Sequence, residues 1–315
     1  MISIICPVYN ELEYIDSIVK FFINSAPESK ELIFIDGGST DGSIATIRNY
    51  ENKYNNIRLI NNPDKYVPYA LNLGIKNSKG EIIVRIDAHC HFSNDYFEQI
   101  IQTFKSVDAD IVGGPTRIYP EAGFREAAGF VMSHPFGIGN SKVHNLNFRG
   151  YVDHVTFGAW KKNIFYDIGY FDERLIRNQD DEFDYRAKSK GKKIFLNPDI
   201  KLWYIPRDSY IGFFKQYFQY GFYKPMVLLK IKSEIKFRHL VPSLFVIYII
   251  LCILFPRFPL ILIPLYIYAG IIFTVALFSN HGLRNKIRIP LLFFSIHMAY
   301  GTGMLLGLFK PKIGR

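Results

Sequence analysis

The window from Arg85 to His91 places two imidazoles and a carboxylate at alternating positions, Asp87, His89 and His91. On an extended backbone alternate residues face one way, so the three would share a side. A carboxylate with an imidazole can hold a divalent cation, and because imidazole is a borderline ligand the pair suits Mn²⁺ better than Mg²⁺. Such an ion could bridge two phosphates and neutralise a departing diphosphate. Asp87 and His89 are the ligands expected here, with His91 in a supporting role. A zinc site built from Asp87, His89, Cys90 and His91 is the rival, but no second Cys/His pair stands at ligand spacing. A second window, Asn178 to Arg186, is dense in carboxylates. Asp180 and Asp181 fall where a helix begins. A carboxylate near a helix N-terminus stays ionised, as a general base must, and could take the proton from an attacking hydroxyl.

Two polar turns complete the set. Pro7, Tyr9, Asn10 and Glu11 follow an apolar run and could receive a base or ribose, although Asn10 could equally cap the next helix. Asp36, Gly37, Gly38, Ser39, Thr40, Asp41 and Gly42 combine carboxylates with glycines that allow close backbone approach to a ligand, or that simply form a capped loop. The glycine spacing matches neither a Walker loop nor the dinucleotide fingerprint, and no Gly-Lys-Ser/Thr is present, which disfavours a P-loop NTPase or an NAD enzyme.

The elements that must position these windows alternate along residues 1–115. Apolar runs at Ile2–Cys6, Glu31–Ile35, Ile57–Ile60, Glu81–Ile86 and Asp110–Val112 read as strands. Helical stretches lie between them at Leu12–Asn24, Ser43–Lys53, Pro68–Asn77 and Asn94–Ser106, the last with Asn94 as the expected N-cap. Strand–helix alternation predicts right-handed crossovers and a mostly parallel sheet, whose ligands sit at the carboxyl ends of the strands. Three of the polar windows occupy those ends. Residues 116–205 are less regular, with a strand expected in Val152–Trp160 and a helix near Asp181–Ser189.

The basic excess lies in one part of the chain. The formal net charge is +10, yet residues 201–315 hold 15 Lys and Arg against 2 acidic residues, so the amino-terminal two-thirds are slightly acidic. Basic residues flanking apolar stretches read as membrane anchors and argue against a nucleic-acid partner. Residues 209–239 are aromatic and basic, as a helix in the membrane interface or one packed on the catalytic domain would be. Three uncharged stretches follow, Leu240–Pro256, Phe258–Leu283 and Ile289–Phe309, of which the second and third reach spanning length. Two or three spans are therefore expected. Lys230, Lys232, Lys236 and Arg238 place the preceding domain in the cytoplasm, while the tail residues Lys310, Lys312 and Arg315 agree with that side only for two spans. Three scattered cysteines, Cys6, Cys90 and Cys252, are no disulfide framework and fit a reducing compartment, and no signal peptide is expected ahead of the first strand.

Taken in order, the four windows resemble glycosyltransferase family 2, the GT-A fold, in its bacterial exopolysaccharide (succinoglycan-type) branch with C-terminal membrane helices. The resemblance covers about residues 1–225. It implies an α/β fold, a GT-A Rossmann-like mixed sheet flanked by helices, followed by a helical membrane region: a catalytic domain over 1–208, an interfacial segment over 209–239 and a membrane region over 240–315. It also implies transfer from a nucleotide diphosphate sugar, UDP-linked by expectation, with inversion, to a hydroxyl on a lipid-linked acceptor in cell-surface polysaccharide synthesis. The family pattern P-x-Y-N-E matches Pro7, Tyr9, Asn10 and Glu11 at the donor nucleotide, and D-x-x-S-x-D-G matches Asp36, Ser39, Asp41 and Gly42. A-x-N-x-G matches Ala70, Asn72 and Gly74, so Asn72 joins the nucleotide-binding set with Asp36 and Asp87. The metal motif D-x-D reads Asp87, Ala88, His89 here, and implies Mn²⁺ or Mg²⁺. The E-D motif reads Gln179, Asp180, which assigns the base to Asp180 with Asp181 as the substitute, and the arginine that follows is Arg186. Processive synthases carry Q-x-x-R-W, which is absent; this favours single-sugar addition. Two other functions fit the same residues: a polyprenyl-phosphate sugar transferase, and a non-catalytic sugar-nucleotide-binding subunit working with other polysaccharide-assembly proteins.

Overall fold

The computed structural model describes residues 1–139, 141–231 and 235–309. Expected features at Lys232 and in the tail at Lys310, Lys312 and Arg315 lie outside the described residues. The chain divides into two compact units. Unit 1 comprises residues 1–117 and 142–204, and unit 2 comprises 118–141 and 205–315.

Unit 1 opens with β1 (Ile2–Val8), α1 (Leu12–Asn24), β2 (Lys30–Asp36), α2 (Ser43–Lys53), β3 (Ile57–Asn61), α3 (Val67–Asn77) and β4 (Ile82–Arg85). It continues with β5 (Cys90–Phe92), α4 (Tyr96–Ser106), β6 (Ile111–Gly113) and β7 (Thr116–Ile118). Unit 2 then contributes α5 (Phe124–Ser133) and α6 (Pro135–Ile138) before the chain returns to unit 1. There follow β8 (Gly150–Tyr151), β9 (Ala159–Lys161), α7 (Ile164–Ile168), α8 (Gln179–Ser189), β10 (Ile194–Leu196) and β11 (Leu202–Tyr204). The main sheet has the order β3-β2-β1-β4-β9-β6-β10-β8. β1 to β4 are parallel, whereas β9 runs antiparallel between β4 and β6, so the sheet is mixed. A smaller sheet has the order β5-β11-β7.

Because β1 and β2 are buried on both faces, they read as unbroken apolar runs. Their side chains alternate between two cores. Ile4, Cys6, Leu32 and Phe34 pack with Ile15, Ile18 and Phe22 of α1 and Phe97 of α4. Ile5, Ile33 and Ile35 pack on the other face with Leu71 and Ile75 of α3 and with Phe183 of α8. Each fully buried side chain of this size contributes about 1.5–3 kcal/mol. Under α8 the rings of Trp160, Phe165, Phe171 and Phe183 meet, with the Phe171 and Phe183 centroids 4.6 Å apart.

Three local expectations change. Asn94 does not cap α4: the residue before the helix is Asp95, and the Tyr96 amide donates to the Ser93 carbonyl. Of the expected strand over Val152–Trp160 only Ala159 and Trp160 lie in the sheet, in β9, because residues 152–158 form a loop held by side chains described below. Asp87–His89 is a turn and not a strand, closed by the Cys90 amide donating to the Asp87 carbonyl at 3.2 Å.

Unit 2 adds α9 (Tyr210–Lys230), α10 (Phe237–Leu254), a short 3₁₀ turn at Pro259–Leu262 leading into α11 (Ile263–Leu277), and α12 (Leu283–Leu308). Ser209 caps α9 by accepting from the Gly212 amide at 3.3 Å. Phe213 and Tyr217 of α9 are buried with Ala127 and Val131 of α5 and with Phe293 and Ile296 of α12. α9 is therefore part of the helical unit, and the division differs from a single boundary near residue 208 followed by a separate segment over 209–239. α9 and α12 approach closely through glycine: a Cβ on Gly303 would lie 2.2 Å from the Phe218 carbonyl oxygen, and one on Gly221 2.1 Å from that of Tyr300. Small residues at such contacts are how apolar helices pack without a hydrophobic driving force. Pro259–Leu277 (19 residues) and Leu283–Leu308 (26 residues) are long and apolar enough to cross a membrane, and His239–Leu254 is a shorter apolar helix.

Candidate functional site

The carboxyl ends of β1 and β2 form one cross-linked pair of loops. Asn10 takes a left-handed backbone (φ 56°), which asparagine tolerates better than most residues. Its amide donates to Ser39 Oγ at 2.8 Å, and its Oδ1 accepts from the Thr40 amide at 2.8 Å. Asn10 thus ties two loops together and does not cap α1. The Leu12 amide donates to Asp41 Oδ2 at 3.0 Å, and the Glu11 amide to Ser43 Oγ at 3.1 Å. Asp36 is 1% exposed. Its Oδ1 accepts from the Gly38 and Ser39 amides at 2.8 and 2.9 Å, and its Oδ2 from Ser39 Oγ at 2.5 Å. Gly42 at φ 102° lets the chain leave this loop into α2. Asp36 also borders a polar cavity of about 510 Å³ with Arg48, Glu51 and Asn61. Tyr9 is exposed beside Pro7, as a stacking residue would be.

At the end of β4, Arg85 and Asp87 form a two-point ion pair, Nε to Oδ1 at 2.9 Å and Nη2 to Oδ2 at 3.0 Å. Burial alone would raise the Asp87 carboxyl, but the charge and hydrogen bonds of Arg85, then His89 and Arg177, hold it below its ordinary range. Glu11 reaches across from the β1–α1 turn, its Oε1 3.0 Å from His89 Nδ1. His89 is thereby tied to Glu11 and its charge acts on Asp87, while His91 lies apart from them, exposed on β5 opposite Trp203 of β11. The shared side expected for Asp87, His89 and His91 fails because the first two sit in a turn. Cys90 is buried in the apolar core, and burial pushes its thiol well above the ordinary range. Among the described residues no three His, Cys, Asp or Glu groups are placed together to hold a metal ion. By donor type Asp87 and His89, one oxygen and one nitrogen, are the residues that would hold a divalent cation here.

The first turn of α8 carries the expected base. Asn178 is again left-handed (φ 60°) and swings the chain into the helix. Asp180 Oδ1 accepts from the Asp181 amide at 3.0 Å, and the Asp180 carboxylate makes no salt bridge among the described residues. Asp181 is engaged: its Oδ1 lies 3.3 Å from His154 Nε2. The other ring nitrogen, Nδ1, lies 2.9 Å from Asp184 Oδ2, which also accepts from the Val155 amide at 3.0 Å. Burial alone would lower the His154 pKa, but the charge of Asp181 and the hydrogen bond and charge of Asp184 push it up to about 9. Burial raises the Asp184 carboxyl, against the pull of His154. On the far side of α8, Arg186 donates to both oxygens of fully buried Glu182 and to the Ile168 and Tyr170 carbonyls.

Sequence reasoning missed His154, and it missed Phe157 of the same loop. Phe157 is left-handed (φ 51°), a strained state for a bulky residue of a kind that clusters at functional sites. Its ring lies 5.3 Å from the Arg85 guanidinium. The 152–158 loop therefore touches both the Asp87 turn and the start of α8. The usable signal was on α8: Asp181 and Asp184, three apart, share a face and call for an opposing cation. Asn72, expected at the nucleotide, is 3% exposed. Its Nδ2 donates to the Phe171 carbonyl and to Glu173 Oε1, and its Oδ1 accepts from the Phe171 amide. With its amide fully engaged, Asn72 serves by fixing the turn that precedes α8.

Residues 3–171 match the family described as glycosyl transferase family 2. The dolichyl N-acetyl-alpha-D-glucosaminyl phosphate 3-beta-D-2,3-diacetamido-2,3-dideoxy-beta-D-glucuronosyltransferase of Methanococcus voltae is 29% identical, covering 98% of this chain and 97% of its own. The succinoglycan biosynthesis protein ExoA of Rhizobium meliloti is 26% identical over 76% of this chain and 73% of its own. Among solved structures, the mannosyltransferase PcManGT from Pyrobaculum calidifontis, in complex with GDP-Man and Mn²⁺, superimposes with a TM-score of 0.59 at 13% identity, covering 98% of this chain and 84% of that one. S. aureus TarS 1-349 with UDP-GlcNAc gives 0.54 at 14% identity, covering 96% and 90%. At such identities the two structures establish a shared fold.

Proposed function

The chain belongs to glycosyl transferase family 2, and from that premise we propose that it moves a sugar from a nucleoside diphosphate donor to a hydroxyl of a lipid-linked acceptor in one inverting displacement. The observation that carries the reading is the division of labour on α8: Asp181 is paired with His154, which leaves Asp180 as the carboxylate free of an ion pair among the described residues. Asp180 accepts the proton of the acceptor hydroxyl as its oxygen attacks the anomeric carbon, and the diphosphate leaves from the opposite face. A positioned base contributes about 10²–10⁴ in rate. The Pro7–Glu11 turn and the Asp36 loop hold the nucleoside, with Tyr9 against the base. Asp87 and His89 would hold a divalent cation, Mn²⁺ or Mg²⁺, whose chemistry is to neutralise the departing diphosphate. Arg85 keeps Asp87 ionised for that task.

The acceptor class is supported by the Methanococcus voltae relative, whose name describes transfer to position 3 of a sugar on dolichyl phosphate. A sugar hydroxyl must lose its proton to attack, unlike a polyprenyl phosphate, so this favours the reading with a base over the phosphate-acceptor alternative. The membrane helices bring such an acceptor to the protein. Glu126 of α5 pairs with His281 at 2.9 Å and accepts from Asn285 at 2.7 Å, which sets the α11–α12 turn beside α5. That turn leads into Arg284, Lys286 and Arg288, and we place it in the cytoplasm with the catalytic unit by the positive-inside rule.

The test is nucleoside diphosphate release by detergent-purified protein with UDP-, GDP- and dTDP-sugars, source-cell lipid extract and Mn²⁺ or Mg²⁺. The expected result is release from one donor that needs the metal and is lost in Asp87→Ala and Asp180→Asn. Full turnover in Asp180→Asn would remove the base assignment and restore the phosphate-acceptor reading.

A further inference from the structure

We propose that His154 is a positioning residue for transfer: as an imidazolium bridging Asp181 and Asp184, it holds the first turn of α8 so that Asp180 alone faces the acceptor. The inference rests on the reading of Asp180 as the base.

The geometry is specific. Asp181 and Asp184 lie three residues apart on one helical face, and Asp180, four before Asp184, borders the same face. Three carboxylates so placed repel one another, and in a buried setting one of them would take up a proton. The group opposite them is His154, delivered by the 152–158 loop. Asp184 fixes the loop as well as the ring, because the same Oδ2 takes both His154 Nδ1 and the Val155 amide. With Nδ1 fixed, the ring geometry sends Nε2 toward Asp181, 3.3 Å away. A neutral imidazole has one N–H and no charge, so only the protonated ring donates to Asp184 through Nδ1 and at the same time attracts the Asp181 carboxylate 3.3 Å from Nε2. The charged groups facing the ring are Asp180, Asp181 and Asp184 from α8; on its own loop Asp153 is paired with Lys188 of α8 at 2.6 Å.

The same loop continues to Phe157, whose ring packs against the Arg85 guanidinium, and the Arg85 amide donates to the Gly158 carbonyl at 3.3 Å. Loss of the His154 bridge therefore acts at the start of α8 and, through the loop, at the Asp87 turn. It does not act on the Asp36 loop, where the nucleoside is held. Turnover and donor-nucleotide affinity should separate accordingly.

The experiment compares wild type, His154→Gln, Asp184→Asn and Asp180→Asn for kcat, KM and the pH profile, with nucleoside diphosphate binding as the control for folding. In His154→Gln, kcat should fall roughly ten- to hundredfold, the cost of a small misplacement of a reacting group, while nucleoside diphosphate binding stays within about twofold. Wild type should lose turnover as pH rises toward about 9, where the imidazolium gives up its second proton, and His154→Gln should lack that limb. Asp184→Asn removes one stabilising charge and should move the limb to lower pH, a change that a purely structural role would not produce. Wild-type kcat in His154→Gln with the alkaline limb in place would overturn the proposal. So would an unmoved limb in Asp184→Asn, which decides the matter should His154→Gln not fold. An inactive Asp180→Asn beside a fully active His154→Gln sinks the positioning role alone, whereas an active Asp180→Asn sinks the base reading beneath it.

Discussion

Arg85 and Asp87, two residues apart at the end of β4, close on each other through two parallel hydrogen bonds at 2.9 and 3.0 Å, and the arginine is the more deeply buried partner. The pair solves a local problem. A carboxylate that is to hold a cation must stay ionised in its turn before the cation arrives, and the guanidinium supplies the opposite charge.

Removing the guanidinium leaves half-buried Asp87 with only the weaker charges of His89 and Arg177. Arg85→Met should destabilise unit 1 by about 1–3 kcal/mol, less than the roughly 3–5 kcal/mol of a fully buried pair broken from one side. Arg85→Met combined with Asp87→Leu should recover much of that loss without recovering activity. Thermal unfolding of the single and double variants checks both statements.

The His154 bridge makes stability depend on pH with a definite sign. The folded-state pKa of about 9 lies above the ordinary value of 6.5. Its contribution is therefore complete below about pH 6.5 and is lost as pH rises to about 9. The unfolding midpoint of wild type should fall across that window, and His154→Gln should flatten the fall. Melting curves at half-unit pH steps measure it, and parallel curves for the two proteins would refute it.

In unit 2, a side chain at Gly303 meets the backbone of α9 and has no flexible atom to displace. Gly303→Leu should cost about 1–3 kcal/mol or more through overpacking. Gly270→Leu on α11, where a Cβ meets nothing within 4 Å, should cost little beyond a small propensity change. The contrast between the two midpoints in detergent is the readout.

If α11 crosses the membrane and the α11–α12 turn is cytoplasmic, the turn before α11 lies on the other face. Arg257→Cys and Asn280→Cys are both at exposed positions, and native Cys6, Cys90 and Cys252 are buried. A membrane-impermeant maleimide applied to intact cells should label position 257, and position 280 only after permeabilisation. The reverse pattern would invert the assigned orientation.

Much of the sheet was legible because its strands are buried on both faces. An apolar run such as Ile2–Cys6 has little alternative, and α1 and α2 begin and end where the apolar spacing does. The order of β9 between β4 and β6 was not legible from periodicity, since three residues supply too short a pattern. The candidate site divided along the same line. Asp87, His89 and Asp180 sit in local sequence patterns, and each lies where strand ends or helix starts put it. His154 and Phe157 take their roles from contacts 30 and 72 residues away along the chain, at Asp184 and Arg85, and no local spacing encodes them. Asn72 carried a local pattern, but its hydrogen-bond partners Phe171 and Glu173 are about a hundred residues distant and no local spacing encodes them.

Residues 118–141 leave the sheet-bearing unit after β7 and return to it before β8, and in between they fold with the helices of the carboxyl-terminal third. The chain thus passes between the two units three times. A soluble fragment ending near residue 204 would carry this excursion without its partners, stranding Phe124, Phe130, Met132 and Phe136 in water. For the same reason, a chimaera that exchanges the membrane helices with those of a relative must transplant two separate stretches of chain, the excursion as well as the tail, if either half is to keep its core.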